Sequence, residues 1–495
     1  MTVSPPISPD RRRSAARFER YELQGHARAV LGSLHRVRVC HRHRVPLQSV
    51  RVLSDRKTKH SHLAGLMACG LVWACPVCAA KVSERRRLEL SGAMASAKAQ
   101  AFVVLFETQT VPHARRDDLA ALRSSLSGAR RRLFKDRAGR SLASVFCLVG
   151  SVSALEVTHG LNGWHPHGHV LRFFDLSRVD WSSVCALVRS SALSSSPVAL
   201  SRRLDVLPHA GALLPPAFVE FAAFASGSGP APLLSSETLL YAWRFLNTPR
   251  WVASCVAEGL GAPDYEHGFH VQNGDFAAEY VAKWGIEPSG DVWGPDHEMT
   301  KAHLKKCSNP ARGRSTWDLL RAVRDNGCSQ SAALFREFVG AFHRAKQLTW
   351  SVGLRVLLGV GVELSDDEVA ALQPEQADVL CSLDVVQWAA VRRFSKQADL
   401  LDLSETNPAG LSAFLDDLVE SARIDALRLA AVAEVETTHR LRVAITRKKG
   451  RVPFVAPPLR TSPDVHTPAY AAMMRAKCAA RRSPLQARLA AIPDG

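Results

Sequence analysis

The chain has 495 residues, enough for two or three domains with sizeable cores, and carries 64 Lys and Arg against 46 Asp and Glu, a formal net charge of +18. That balance favours a polyanionic partner, of which nucleic acid is the commonest. No run of 18 apolar residues occurs and the opening residues lack the apolar core of a signal peptide, so a membrane partner is not expected and the protein reads as soluble and cytoplasmic.

Residues 1–35 are rich in Pro, Ser and Arg and read as a basic arm that begins disordered and enters a helix near residues 18–34. Residues 36–95 read as a zinc module. Cys75-Pro76-Val77-Cys78 is a tight turn that aims two sulfurs at one point, and Cys69 adds a third thiolate. Cys40 is the first candidate for the fourth place, with His41, His43 and His62 competing for it. Reduced cytosolic thiols leave structural Zn²⁺ as the expected occupant. A basic helix follows over residues 79–90, with Arg85, Arg86 and Arg87 in succession. The remaining cysteines, Cys147, Cys185, Cys255, Cys307, Cys328, Cys381 and Cys478, are scattered and read as ordinary thiols.

Residues 96–330 read as an α+β region. Residues 101–110 form an apolar, β-branched run, a buried strand, and residues 118–134 follow with helical periodicity, ending near Arg130, Arg131 and Arg132. Two strand-like runs, residues 155–158 and 167–174, then flank Gly160-Leu161-Asn162-Gly163, a strong hairpin signal. Side chains two apart on a strand share a face, so His167 and His169 form a two-imidazole claw and Glu156 on the paired strand brings a carboxylate to it. Two nitrogens and an oxygen suit Mg²⁺ or Mn²⁺ in a phosphate-handling site better than a thiol-rich set would. His159 and His165 are rival third ligands.

Residues 176–235 are rich in Ser, Ala and Pro and read as an insertion or mobile region. A helix resumes at residues 238–260, and His267-Gly268-Phe269-His270-Val271 reads as a strand leading into an amphipathic helix at residues 276–284. There Tyr280 and Lys283, three apart, share a helix face. A tyrosine hydroxyl beside a divalent ion and a lysine is a poised oxygen nucleophile, because its pKa near 10 otherwise keeps it protonated. Lys301, Lys305 and Lys306 follow closely and are candidate DNA-phosphate contacts. Residues 331–436 read as a helical C-terminal region, with Ser365-Asp366-Asp367-Glu368 placed as an N-cap and first turn. Residues 437–495 read as a basic disordered tail that adds salt-sensitive DNA affinity.

Trp164-His165-Pro166-His167-Gly168-His169-Val170-Leu171, followed by Ala278-Glu279-Tyr280-Val281-Ala282-Lys283-Trp284, resembles the second and third motifs of plasmid rolling-circle replication initiators, which are HUH endonucleases. Thr108 and Thr110 at the end of the first strand resemble the first motif, and Cys69-Gly70 with Cys75-Pro76-Val77-Cys78 resembles a cysteine module that precedes it in many initiators. The likeness runs over roughly residues 36–360. It implies an HUH-endonuclease-like antiparallel sheet with flanking helices, preceded by the zinc module and followed by the helical region. It ranks Glu156 first as third ligand and makes Tyr280 the nucleophile. It also implies a metal-dependent, site-specific single-strand endonuclease and strand transferase acting on single-stranded or hairpin origin DNA, with a host helicase and DNA polymerase as partners. Two departures stand out. Gly168 replaces a usual bulky residue, and the better-known members read Glu-x-x-Lys-Tyr where Trp284 follows Lys283 here, so Tyr280 occupies the carboxylate's place. Glu279, Asp275 and Glu287 are candidates for the acid that ends replication in those relatives. A rolling-circle transposase of the same chemistry and a non-catalytic, zinc-dependent DNA-binding regulator are the alternative expectations.

Overall fold

In the computed structural model the described residues are 9–205, 214–274, 299–300 and 313–448. They form an α+β structure around two antiparallel sheets. The larger sheet has the order β6-β3-β5-β4-β7, with β3 Val103–Thr110, β4 Leu148–Gly160, β5 Gly163–Phe174, β6 Phe269–Asn273 and β7 Leu348–Trp350. The smaller has the order β2-β1-β8, with β1 Val50–Asp55, β2 Ser61–Ala64 and β8 Ala377–Leu383. Among the described residues no helix is long and apolar enough to cross a membrane.

The β4–β5 hairpin is the longest pairing, in register from Gly160↔Gly163 through Glu156↔His167 and Ala154↔His169. Its turn depends on Gly163, which adopts φ 86° and whose missing Cβ would lie 2.9 Å from the Arg115 Cα. Alternation then sorts the side chains onto two faces. One face sends Leu105, Phe174, Phe269 and Val271 into a core with helices α3 Leu119–Lys135 and α8 Ser236–Ala257. The other sends Phe106, Val152, Leu171 and Phe173 against Leu90, Ala93 and Ala97 of helix α2, Pro76–Ala99. Residues 176–235, read from composition as an insertion or mobile region, supply helices at Trp181–Leu193, Pro197–Asp205 and Pro216–Ser226. Their Val184, Val188, Phe218, Phe221 and Phe224 join the first core, and the Ser-rich surface is what composition alone registers.

Two further differences from the sequence expectation have physical causes. Helix α1, Pro9–Leu31, starts well before residue 18, because Arg17 finds Glu405 at 2.5 Å and Asp402 at 4.0 Å. Residues 331–436 are not only helical. Their β7 pairs with β4 and their β8 pairs with β1, so the C-terminal half completes both sheets. The basic helix expected at residues 79–90 is part of α2, where Arg85 and Arg86 reach Glu89, Arg86 also reaches Asp366, and Arg87 reaches Glu84. The N-cap expected at Ser365 is present as a reciprocal capping box with Glu368.

Candidate metal centres and their surroundings

Register brings Glu156 opposite His167, and His169 falls on the same face two residues along. Glu156 Oε2 lies 3.1 Å from His167 Nε2 and 3.0 Å from His169 Nε2, and one ligand atom from each residue fits within 4.8 Å of the others. Separations of about 3.0–3.4 Å are the edges of a coordination shell with bonds near 2.1 Å. The donor set therefore fits a single divalent ion. Glu156 and His167 are partly buried and His169 is buried, so the cluster is recessed, with solvent reaching two of its three residues.

The far nitrogens of both rings are engaged. His169 Nδ1 lies 3.3 Å from the Thr108 hydroxyl, and His167 Nδ1 lies 3.4 Å from the His165 carbonyl oxygen. A metal-ligating imidazole needs its other nitrogen held in this way to fix the ring and its tautomer. Thr108 stands directly opposite His169 in the β3–β5 pairing, and Phe106 stacks on the His169 ring at 5.1 Å. From the sequence, Thr108 reads more readily as an ordinary core-strand residue than as a contact. The signal that points to it is its place at the end of a strand, and only the cross-strand register turns that place into a contact.

The rival ligands point elsewhere. His165 Nδ1 lies 3.4 Å from His113 Nδ1, and burial, with His167 next in effect, pushes the His165 imidazole down to about 4. His159 packs edge-on against Trp164 on the opposite face. His267 is exposed beside Asp264, while His270 stands opposite Thr108 with Gln272 donating near its Nδ1 at 3.0 Å.

Behind the claw, on the other side of the sheet, Arg172 pairs with buried Glu107 at 3.0 Å, and Glu107 also accepts from Trp243 and Gln109. A Cβ on Gly168 would have the Arg130 guanidinium carbon 3.6 Å away. That is ordinary contact, so it is a side chain longer than a methyl that would meet the Arg130 guanidinium, whose pKa burial pulls down to about 10. Arg132 pairs with Glu258 at 2.5 Å, so the basic turn is partly spent inside the fold.

The second cluster joins Cys40, Cys69, Cys75 and Cys78, all buried and all within 4.8 Å by their sulfurs. Cys40 lies 3.7 Å from Cys75 and 3.3 Å from Cys78, and Cys69 lies 3.7 Å from Cys78. A tetrahedron with Zn–S bonds of 2.3 Å has edges of about 3.8 Å, so the four sulfurs fit one Zn²⁺. Cys75 is the N-cap of α2, with Pro76 at its first position. Gln24 donates to Cys75 Sγ at 3.1 Å and Arg28 donates to the Cys40 carbonyl at 2.7 Å. His41, His43 and His62 stand outside the cluster. Trp164 of the hairpin packs into the apolar shell around these cysteines and donates to Glu337 at 2.8 Å, tying claw and cluster together.

Tyr280, Lys283, Lys301, Lys305 and Lys306 lie outside the described residues, as do Asp275, Glu279 and Glu287. No family model matches the sequence, and no solved structure matches it. The chain is 32% identical over 138 residues to the protein named "Protein rep" of Streptomyces lividans, a stretch that covers 22% of this chain and 30% of that relative. It is 30% identical over 132 residues to a protein of Streptomyces cyanogenus named "Neomycin resistance protein", again over 22% of this chain and 30% of the relative. The chain thus matches under a third of the length of these relatives, and its likeness to a rep-named protein is a likeness over part of the chain.

Proposed function

We propose that this protein is an HUH-type initiator of plasmid rolling-circle replication that nicks one strand of origin DNA. The observation that carries the reading is the convergence of Glu156, His167 and His169 on one point of an open sheet face, in a chain with partial likeness to a rep-named protein. The substrate is single-stranded or hairpin-extruded, because a strand must be unstacked to enter such a site. Mg²⁺ or Mn²⁺ on these three side chains would polarise the scissile phosphate and offset its charge. Thr108 holds the His169 ring in place, and the buried Glu107–Arg172 pair braces β5 from behind.

In this reading the Tyr280 phenol oxygen attacks phosphorus in line. The bond from phosphorus to the 3′ oxygen breaks, the phosphate remains on tyrosine as a 5′-phosphotyrosine diester, and the departing oxygen takes a proton to become a 3′-hydroxyl primer. Lys283 orients the phosphate, and Lys301, Lys305 and Lys306 hold its neighbours. A host helicase and DNA polymerase then extend the primer. Zn²⁺ on the four cysteines is structural.

The test incubates the purified protein with labelled single-stranded origin DNA and Mn²⁺, and compares wild type with Tyr280→Phe on a denaturing gel. A covalent adduct in the wild type alone is expected. No adduct with either metal would overturn the nuclease reading in favour of a non-catalytic regulator, and an adduct that survives the substitution would move the nucleophile elsewhere.

A further inference from the structure

Beside the cysteine cluster and apart from the claw, the backbone around Cys40 and the helix that carries Arg392 present a concentrated cationic surface. Two adjoining hollows of about 630 and 510 Å³ share His43 and Arg392 in their walls. Arg44 lines the first, and Arg28, Arg38 and Arg42 line the second. Among the described residues neither hollow is lined by a carboxylate. The crowding registers on the groups themselves. His43 is held below the ordinary imidazole range by desolvation and then by Arg392, Arg42, Arg38 and Arg28, and Arg392 is lowered by desolvation and then by Arg42 and Arg44.

These charges are built in rather than loosely displayed. The Arg42 carbonyl accepts from Trp388 Nε1 at 3.1 Å and from Arg392 Nη1 at 3.2 Å, both on the helix Val385–Arg393. Arg392 Nε is buried and has no hydrogen-bond partner among the described residues. Cys40 lies between Arg38 and Arg42, Arg28 donates to its carbonyl, and the His43 carbonyl accepts from the Met67 N–H at 2.8 Å. Segments far apart in the chain therefore bring five arginines to two adjoining hollows that share Arg392, against their mutual repulsion. Such an arrangement is relieved by a polyanion, and the guanidinium fork matches phosphate oxygens. The walls offer no exposed Trp, Tyr or Phe for bases to stack on, since Trp388 is buried and the small imidazole of His43 is the exposed ring among them, and this favours backbone contact with a duplex over a single-strand platform.

We infer that this arginine surface grips the phosphate backbone of duplex DNA flanking the strand that is cut, an assignment that rests on the DNA-nicking reading above. It gives the zinc module a task separate from the chemistry.

The test measures affinity for a random-sequence duplex of about 30 base pairs against salt, for wild type, for Arg38→Gln/Arg42→Gln/Arg44→Gln, and for a control, Arg137→Gln/Arg140→Gln/Arg178→Gln, with the same charge change at exposed sites. The slope of log affinity on log salt should shrink by about 2–3 in the first variant, at about 0.9 per lost phosphate contact, and by less than about 1 in the control. An equal change in both variants, or none in the first, overturns the assignment. So does an equal loss on a single strand of the same length. Zinc content and melting temperature report folding, and Arg38→Gln and Arg44→Gln singly, each expected to cost about 0.9 of slope, keep the question answerable if the triple variant misfolds. Wild-type adduct formation on a short single strand tests the nicking reading separately, so the two can fail independently.

Discussion

The cysteine cluster and the carboxylate–histidine cluster obey the same physics and end in opposite designs. Each gathers side chains that must give up protons to bind a cation, and each brings its donor atoms within 4.8 Å of one another. The cysteine site is closed: four sulfurs, all buried, fill a tetrahedron and leave no place for a substrate atom. The claw offers three donors among the described residues, fewer than a divalent ion takes, and leaves coordination positions for other atoms. Room, rather than affinity, separates an ion that holds a fold together from one that can meet a phosphate.

The strongest way to break that contrast is to remove a closed-site sulfur. Cys78→Ser should take bound zinc from one ion per chain to none and lower the melting temperature by on the order of 10 °C, because binding and folding of such modules are coupled. Metal analysis and a thermal melt check it, and a zinc-free wild type with the same melting temperature would remove the distinction. A smaller effect is expected from behind the open site. Gly168→Leu should cost about 1–3 kcal/mol in urea unfolding by driving a side chain into the Arg130 guanidinium, and pairing it with Arg130→Ala should recover part of that loss. Additive effects would mean that the two positions do not compete for space. The subtlest change is Thr108→Val, expected to weaken Mn²⁺ binding about tenfold with the melting temperature nearly unmoved. Titration calorimetry decides it, and unchanged affinity would remove Thr108 from the support of the claw.

What the sequence disclosed follows a rule of range. The Cys-Pro-x-Cys knuckle, the His-x-His alternation and the Glu156 register across one short turn are local, and the structure brings those residues together as the pattern implies. Cys40 was legible at longer range because few thiols compete for the fourth place. Contacts made by register between distant strands were not legible. Thr108 meets His169 because β3 lies beside β5, and β8 pairs with β1 across most of the chain. Neither follows from periodicity within a window. Composition did not disclose the helices within residues 176–235, whose Val184, Val188, Phe218, Phe221 and Phe224 join a core beneath a Ser- and Ala-rich surface. Arg130 was hidden for a different reason: a glycine records the absence of a side chain and says nothing of what fills the space.

Helix α2 begins at the cysteine knuckle and, about 36 Å long at 1.5 Å per residue, ends by packing Leu90, Ala93 and Ala97 on the sheet face that bears the claw. It is a single stiff rod with one end seated in each site's neighbourhood. A chelator meant to strip the open site would also unseat the rod's far end, and the sheet would lose part of its cover. Quenching by chelator would therefore not report on an ion at Glu156, His167 and His169 alone. Restoration by Mn²⁺ added back without zinc is the arm that tells a removed reagent from a loosened frame.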